Sequence, residues 1–238
     1  MKLWVSEMFH SIQGEGRFTG APSFFVRVVG CNLRCWWCDT MYTSWKPEEG
    51  LGQCDLQSVA DAALSSGAPH VVLTGGEPML YPEQVGVLCG WLRSHGRKVT
   101  VETNGTVYDS RVQPDLWSVS PKLESSFPDR AKHPAEHSLH ARNLRPATMR
   151  HFWEVAEGTA GTDVQYKFVV CAEKDVDDVS ALCGEHGLPR GKVWLMPEGV
   201  TGDKVAENGR WVAEACKRHG FNLAMRVHTM LWGHRRGV

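Results

Sequence analysis

The sequence predicts an α/β fold on parallel strands, arranged as a partial (β/α)6-type barrel. Two observations predict it. Runs rich in β-branched and aromatic residues alternate with helical patterns along the 238 residues. That order builds parallel sheets with right-handed crossovers. Several of the runs are almost continuously apolar, as strands covered on both faces must be. About six βα units are present, short of the eight that close a full barrel.

The first strand is "SFFVRVV" (23–29). It runs into "GCNLRCWWCDT" (30–40), where Gly30 and Asn32 are turn residues rather than helix starters. "DLQSVADAALSS" carries a helical apolar stripe with Asp55 as N-cap. "HVVLTGG" (70–76), "KVTVETNG" (98–105) and "LWSVSPK" (116–122) are the next strands. The stretch 123–150 is polar, rich in His and Pro, and lacks periodicity at its start. It reads as an insertion or long solvated loop leading into a helix near 147–157. The strands "VQYKFVV" (164–170), "KVWLMPEG" (192–199) and "LAMRVH" (223–228) complete the series. The helices "PEQVGVLCGWLRSHG", "DVDDVSALCGEHG" and "NGRWVAEACKRHG" each end in Gly after His, a good helix stop. Residues 1–238 are expected to form a single domain.

Net charge is −1 and the pI about 6.8, so nothing global favours nucleic acid or an anionic membrane. No apolar run approaches the roughly 20 residues of a membrane helix. "MKLWVSEMFHSIQGEG" lacks a signal-peptide core and cleavage site, which points to the cytoplasm. There, eight cysteines are expected as thiols, some on metal, rather than disulfides.

Cys31, Cys35 and Cys38 fall within eight positions. As a helix face they would be buried small hydrophobes, but the turn residues around them argue against a helix. Structural zinc takes four ligands, usually as two separated pairs. Here one knot supplies three, and only Cys54 or His10, neither in a paired knuckle, would complete a tetrahedron. An iron–sulfur cube with four irons, three of them held by these thiolates, leaves one iron open for chemistry.

CxxxCxxC after an apolar strand, with an aromatic before the last Cys, resembles the radical S-adenosylmethionine (SAM) signature. "TGGEP" (74–78) resembles the motif of that superfamily that receives the methionine amine, and two glycines there allow close backbone approach. The block "FHSIQGEGRFTGAPSFFVRVVGCNLRCWWCDT" (9–40), with ETNG, SPK and a C-terminal His, closely resembles the 7-carboxy-7-deazaguanine synthase family of queuosine and deazapurine biosynthesis. The resemblance implies a lyase with a [4Fe–4S] cluster, SAM and Mg2+. It implies 6-carboxy-5,6,7,8-tetrahydropterin as substrate, with the hydrogen taken from C6. It further implies a homodimer and a reductant such as flavodoxin or ferredoxin.

Carried onto this sequence, the cluster falls to Cys31, Cys35 and Cys38. SAM falls to Trp37, Cys38, Asp39, Gly75, Gly76, Glu77, Ser120, Pro121, Lys122, Met196 and Pro197, with the Glu77 carboxylate able to anchor an ammonium. Ile12, Gln13, Gly14, Glu15, Arg27, Thr74 and His228 are the substrate candidates, and Thr40 the magnesium ligand. Independently of family, a charge inside "FFVRVV" must be buried or functional, and Arg27 offers a bidentate fork to a carboxylate. Glu102 and Asn104 alternate with apolar residues and point inward, and Glu102 is the candidate acid/base contact. His228 lies on the last predicted strand.

The pattern departs at Met196-Pro197, where many relatives carry Gln-Pro, so a side-chain hydrogen bond to adenosine is lost. Cys89, Cys171, Cys183 and Cys216 are expected as buried thiols inside strands or helices. Two other functions share parts of the pattern. A radical SAM activase of glycyl-radical enzymes shares CxxxCxxC and GGEP but has no use for Gln13, Glu15 and Arg27. A zinc-stabilised binding module lacks its fourth ligand.

Overall fold

The computed structural model describes residues 1–48 and 50–238. In chain order the elements are β1 (Lys2–Ile12), β2 (Pro22–Val28), α1 (Met41–Ser44), β3 (Gly52–Asp55), α2 (Leu56–Ser65), β4 (His70–Gly75), α3 (Pro82–Ser94), β5 (Lys98–Thr103) and β6 (Leu116–Val119). There follow α4 (Pro134–Asn143), α5 (Thr148–Gly158), β7 (Asp163–Val170), α6 (Glu173–His186), β8 (Val193–Pro197), α7 (Gly202–His219), β9 (Asn222–Leu223) and α8 (Val227–Trp232). Among the described residues the strands form one sheet, ordered β3-β1-β2-β4-β5-β6-β7-β8-β9. From β2 to β9 every neighbour is parallel. The sheet is open at both edges, as a partial barrel requires.

The apolar runs become the central strands because helices cover them. In β7 every residue from Val164 to Val170 is buried, and Val99 and Val101 of β5 are fully so. α6 and α7 stop where predicted, at Gly187 (φ +65) and Gly220 (φ +72), in the left-handed conformation that glycine tolerates. α7 begins at Gly202 rather than at Asn208, because the Thr201 hydroxyl accepts from the Lys204 N–H and caps it earlier.

Other expectations need correction. β1 and β3 are additional strands, antiparallel at the edge beyond β2. The strand predicted over 223–228 is two residues long, and His228 lies on α8. No helix joins β5 to β6, so one crossover is a loop. Cys171 lies just beyond β7 and is half-buried, whereas Cys89, Cys183 and Cys216 are buried as expected.

The stretch 123–150 is a solvated loop only in part, with residues 129–135 exposed. It forms α4 and a bed under the cysteine loop. His140 is fully buried, and its Nδ1 accepts the Arg34 backbone N–H at 3.1 Å. With Nδ1 accepting, Nε2–H donates to Ser126 Oγ at 3.0 Å, and that hydroxyl donates to Leu123 O. Burial pushes the imidazole pKa down to about 4, which fixes the neutral form. Asn143 donates to Asn32 O, and the Trp36 N–H donates to Ser126 O. The apolar periodicity is missing because polar side chains here satisfy a neighbouring backbone rather than fill a core.

Candidate active site

Because β2 and β4 to β8 run parallel, their C-terminal ends share one edge. The cysteine loop follows β2, Gly76 to Pro78 follow β4, Asn104 follows β5, and Ser120 to Lys122 follow β6. A cavity of about 260 Å³ opens there. Its floor is a polar stripe across the strands. Arg27 pairs in register with Thr74 and Glu102 with Ser118. Ser118 pairs in turn with Gln165, which is buried and off the wall.

The structure brings together on this cavity Ile12, Gln13, Gly14, Glu15, Arg27, Cys31, Cys35, Trp37, Cys38, Asp39, Thr40, Thr74, Gly75, Gly76, Glu102, Ser120, Lys122, Met196, Pro197 and His228. Glu77 and Pro121 are not on its wall. Glu77 is fully buried, and its carboxylate accepts from the N–H of Met79, the Thr103 hydroxyl and the N–H of Asn104. The carboxylate therefore braces the turn behind the cavity wall, and burial raises its pKa. Cys54 on edge strand β3 and His10 on β1 stand away from the cavity wall.

The three cysteines are free thiols on one wall. Burial pushes Cys31 up to about 11 and Cys35 up to about 12, so a metal must displace their protons. Among the described residues no three His, Cys, Asp or Glu side chains converge on a single-ion point. Thiolates that each hold a different iron of one cube have no need to converge. The loop is braced from the chain: the Trp45 indole donates to Cys35 O at 3.0 Å, and Arg34 folds back onto Cys31 O at 2.7 Å. Gly76 fits because a Cβ there would run into Gly30 O, so the turn after β4 can lie against the cysteine loop. The Trp37 Nε1 is buried without a hydrogen-bond partner, and Trp37 packs with Val169, Met196 and Ala224. An orphaned donor beside an apolar slot is what a flat, polar-edged ligand would complete.

A charge network occupies the opposite side. Lys167, 4% exposed at its side chain, donates to Glu15 Oε2 at 2.9 Å and Glu102 Oε1 at 3.1 Å. Arg226 donates to Glu15 Oε1 at 3.2 Å, to Gly199 O, and to Asp39. Burial alone would raise the Glu15 carboxyl, but Lys167 and Arg226 hold it well below the usual range. Burial likewise opposes the Lys167 charge, and Glu102 and Glu15 more than restore it. Burial keeps His228 below its ordinary pKa, hence neutral at pH 7. Gln13 is committed inward: its Oε1 accepts the Glu15 N–H and its Nε2 donates to Glu102 Oε1. Arg27 pairs across the β1–β2 ladder with Glu7 at 2.7 Å, a carboxylate that also accepts from Tyr42. Lys122 is held by Ser120 O and Oγ and sits 5.5 Å over the Trp37 ring.

Sequence reasoning missed Lys167, Arg226, Ser118, Gln165, Glu7 and Tyr42. Lys167 carried a signal: it is a charge inside the apolar run "VQYKFVV", as Arg27 is inside "FFVRVV". The segment Gly233–Val238 also lines the cavity, with His234 hydrogen-bonded to Asp39 O.

An open parallel sheet, three thiols in one loop at its C-terminal edge and a glycine turn beside them define a radical SAM enzyme. The Radical SAM superfamily model matches residues 25–157, more than half of the chain. A curated relative from Rhodopirellula baltica, a 7-carboxy-7-deazaguanine synthase, is 39% identical over 99% of this chain and 89% of its own length. One of the same name from Rhodospirillum rubrum is 45% identical over 96% and 92%. The crystal structure of QueE from Escherichia coli superposes with a TM-score of 0.65 at 26% identity, covering 96% of this chain and 95% of that one. The chain belongs to the 7-carboxy-7-deazaguanine synthase family. Membership of the radical SAM superfamily brings a [4Fe–4S] cluster and SAM as cofactors.

Proposed function

We propose that this chain contracts the ring of 6-carboxy-5,6,7,8-tetrahydropterin to 7-carboxy-7-deazaguanine, releasing ammonia, with its cluster on Cys31, Cys35 and Cys38. One observation carries the reading: the three cysteines, the Thr74–Gly76 turn and the candidates Gln13, Glu15, Arg27 and His228 wall the same cavity. When bound, cluster and SAM supply an electron and a 5′-deoxyadenosyl radical. The chain supplies binding, orientation and exclusion of water.

In this reading the slot of Trp37, Val169 and Met196 takes the adenine, with Pro197 at its rim. The Met196 side chain contributes apolar contact where relatives place an amide. Backbone carbonyls of Gly75 and Gly76, on the cavity wall, meet the methionine amine, with the Glu77 carboxylate off that wall. Lys122, fixed by Ser120, faces the SAM carboxylate. The remaining Arg27 N–H groups, unpaired among the described residues, take the pterin carboxylate. Gly14, Glu15, Thr74 and neutral His228 meet the heterocycle edge. Glu102 is the acid/base contact, and Lys167, 3.1 Å away, holds it in place. Thr40, whose Oγ1 is 3.6 Å from Cys38 Sγ, is the magnesium ligand, an ion that takes few protein oxygens and keeps its waters.

Residues 1–238 act as one radical SAM domain with 123–150 integral to it. A flavodoxin- or ferredoxin-type reductant completes the system, and a reducing cytoplasm suits the free thiols. No helix among the described residues is long and apolar enough to cross a membrane. A homodimer would use exposed apolar residues such as Met230, Leu231 and Trp232 of α8.

The test is anaerobic: cluster-loaded protein with SAM, Mg2+, reductant and the pterin. Equal amounts of 7-carboxy-7-deazaguanine and ammonia support the reading. Intact cluster and bound SAM with no product overturn it.

A further inference from the structure

We propose that the side-chain amide of Asn104 is a hydrogen-bond donor to the Cys31 sulfur and raises the reduction potential of the cluster held there. The proposal rests on the reading that Cys31 is a cluster ligand.

Asn104 is buried at the end of β5, and its partners assign its amide orientation. Oδ1 accepts the Thr106 N–H at 2.9 Å and the Thr106 hydroxyl at 2.7 Å. A flipped amide would set Nδ2 against that N–H, donor against donor. Nδ2 therefore faces the other way, with one hydrogen on Asn32 Oδ1 at 2.9 Å. The Asn32 amide in turn donates to Thr106 Oγ1 at 2.8 Å, which closes a ring Asn104–Asn32–Thr106. That leaves the second Asn104 N–H for Cys31 Sγ, which lies 3.8 Å from Nδ2.

The donors are spread unevenly over the three sulfurs. Cys31 Sγ accepts a second N–H, from Leu33 at 3.4 Å. Cys38 Sγ has the hydroxyls of Thr40 and Ser44 at 3.6 and 3.7 Å. Cys35 Sγ has no such donor among the described residues. A donor on a ligating sulfur stabilises negative charge there, and the reduced cluster carries one more electron than the oxidised one. The Asn104 amide thus favours the reduced form and makes the electron easier to load.

The readout is an EPR-monitored redox titration of the cluster-loaded protein without SAM. The backbone N–H of Asn104 keeps its bond to Glu77 Oε2 whatever the side chain, so Asn104→Asp and Asn104→Ala leave that brace intact. Both variants are expected to hold wild-type iron and to titrate at a more negative midpoint, Asn104→Asp at least as far as Asn104→Ala. Thr106→Val removes the hydroxyl that bonds Asn104 Oδ1 and closes the ring, while the Thr106 N–H keeps its bond; it loosens the amide, is expected to shift the midpoint the same way by less, and serves should the Asn104 variants fail to fold. An unchanged or more positive midpoint in a variant with full iron overturns the proposal. A full cluster retained in Cys31→Ala overturns the cluster reading beneath it.

Discussion

Gly14 and His228 occupy adjoining space so closely that a Cβ on Gly14 would fall within the His228 imidazole. The two are 214 positions apart in sequence, and the Val227 N–H donates to Gly14 O at 2.9 Å to hold them together. Gly14→Ala must push α8 or the ring aside, at a cost of about 1–3 kcal/mol. We expect KM for the pterin to rise about tenfold or more, because roughly 1.4 kcal/mol of binding is lost. The cluster absorption and iron content should not change. Steady-state kinetics beside the visible spectrum check both.

Lys167→Met leaves two carboxylates facing a cavity without their shared cation. Breaking a buried pair by removing one partner costs about 3–5 kcal/mol, and turnover should vanish. The pH dependence separates this from simple loss of packing. Glu15 is depressed in the folded protein, so its contribution is full above its unfolded value, about 4.3. It drains as pH falls from there towards the folded value. Wild-type stability should therefore fall on acidification below about pH 4.3, and that slope should shrink in Lys167→Met. Urea unfolding between pH 3 and 7 measures it.

Arg27→Leu removes the fork proposed for the pterin carboxylate and leaves Glu7 to Tyr42 and Arg236. A charge-assisted hydrogen bond is worth about 1.5–3 kcal/mol, or roughly 10- to 150-fold in kcat/KM. Binding of a tetrahydropterin without the carboxylate should be equal in variant and wild type. Calorimetric titration of both ligands tests this.

Thr40→Val should raise the Mg2+ concentration for half-maximal activity about tenfold or more, with cluster content unchanged. A magnesium titration at fixed SAM and substrate reads the effect.

The parallel core was legible because its strands announce themselves by apolar runs, and helices α3, α6 and α7 by their stripes and glycine stops. Buried charge was legible on one strand, at Arg27, and the same argument applied to Lys167 would have found the cation between Glu15 and Glu102. Arg226 carried the same signal inside the predicted strand "LAMRVH", although the structure places it in an irregular stretch between β9 and α8. Glu77 reads in the sequence as a ligand anchor, and in the structure the chain's own N–H and hydroxyl groups compete for its carboxylate. That competition is tertiary and invisible in TGGEP itself. His140 and Asn143 escaped for the reason that makes them useful: they satisfy backbone groups of the cysteine loop, and no periodicity marks such partners.

In the proposed reaction this cavity sets a SAM-derived radical against C6 of a carboxylated pterin. Pterin deuterated at C6, incubated with cluster-loaded protein, SAM, Mg2+ and reductant, follows that hydrogen. Deuterium is expected at the 5′ carbon of the SAM and 5′-deoxyadenosine pool alongside 7-carboxy-7-deazaguanine, and neither in Cys35→Ala. Product formed with no label in that pool, or formed equally by Cys35→Ala, rules the reading out.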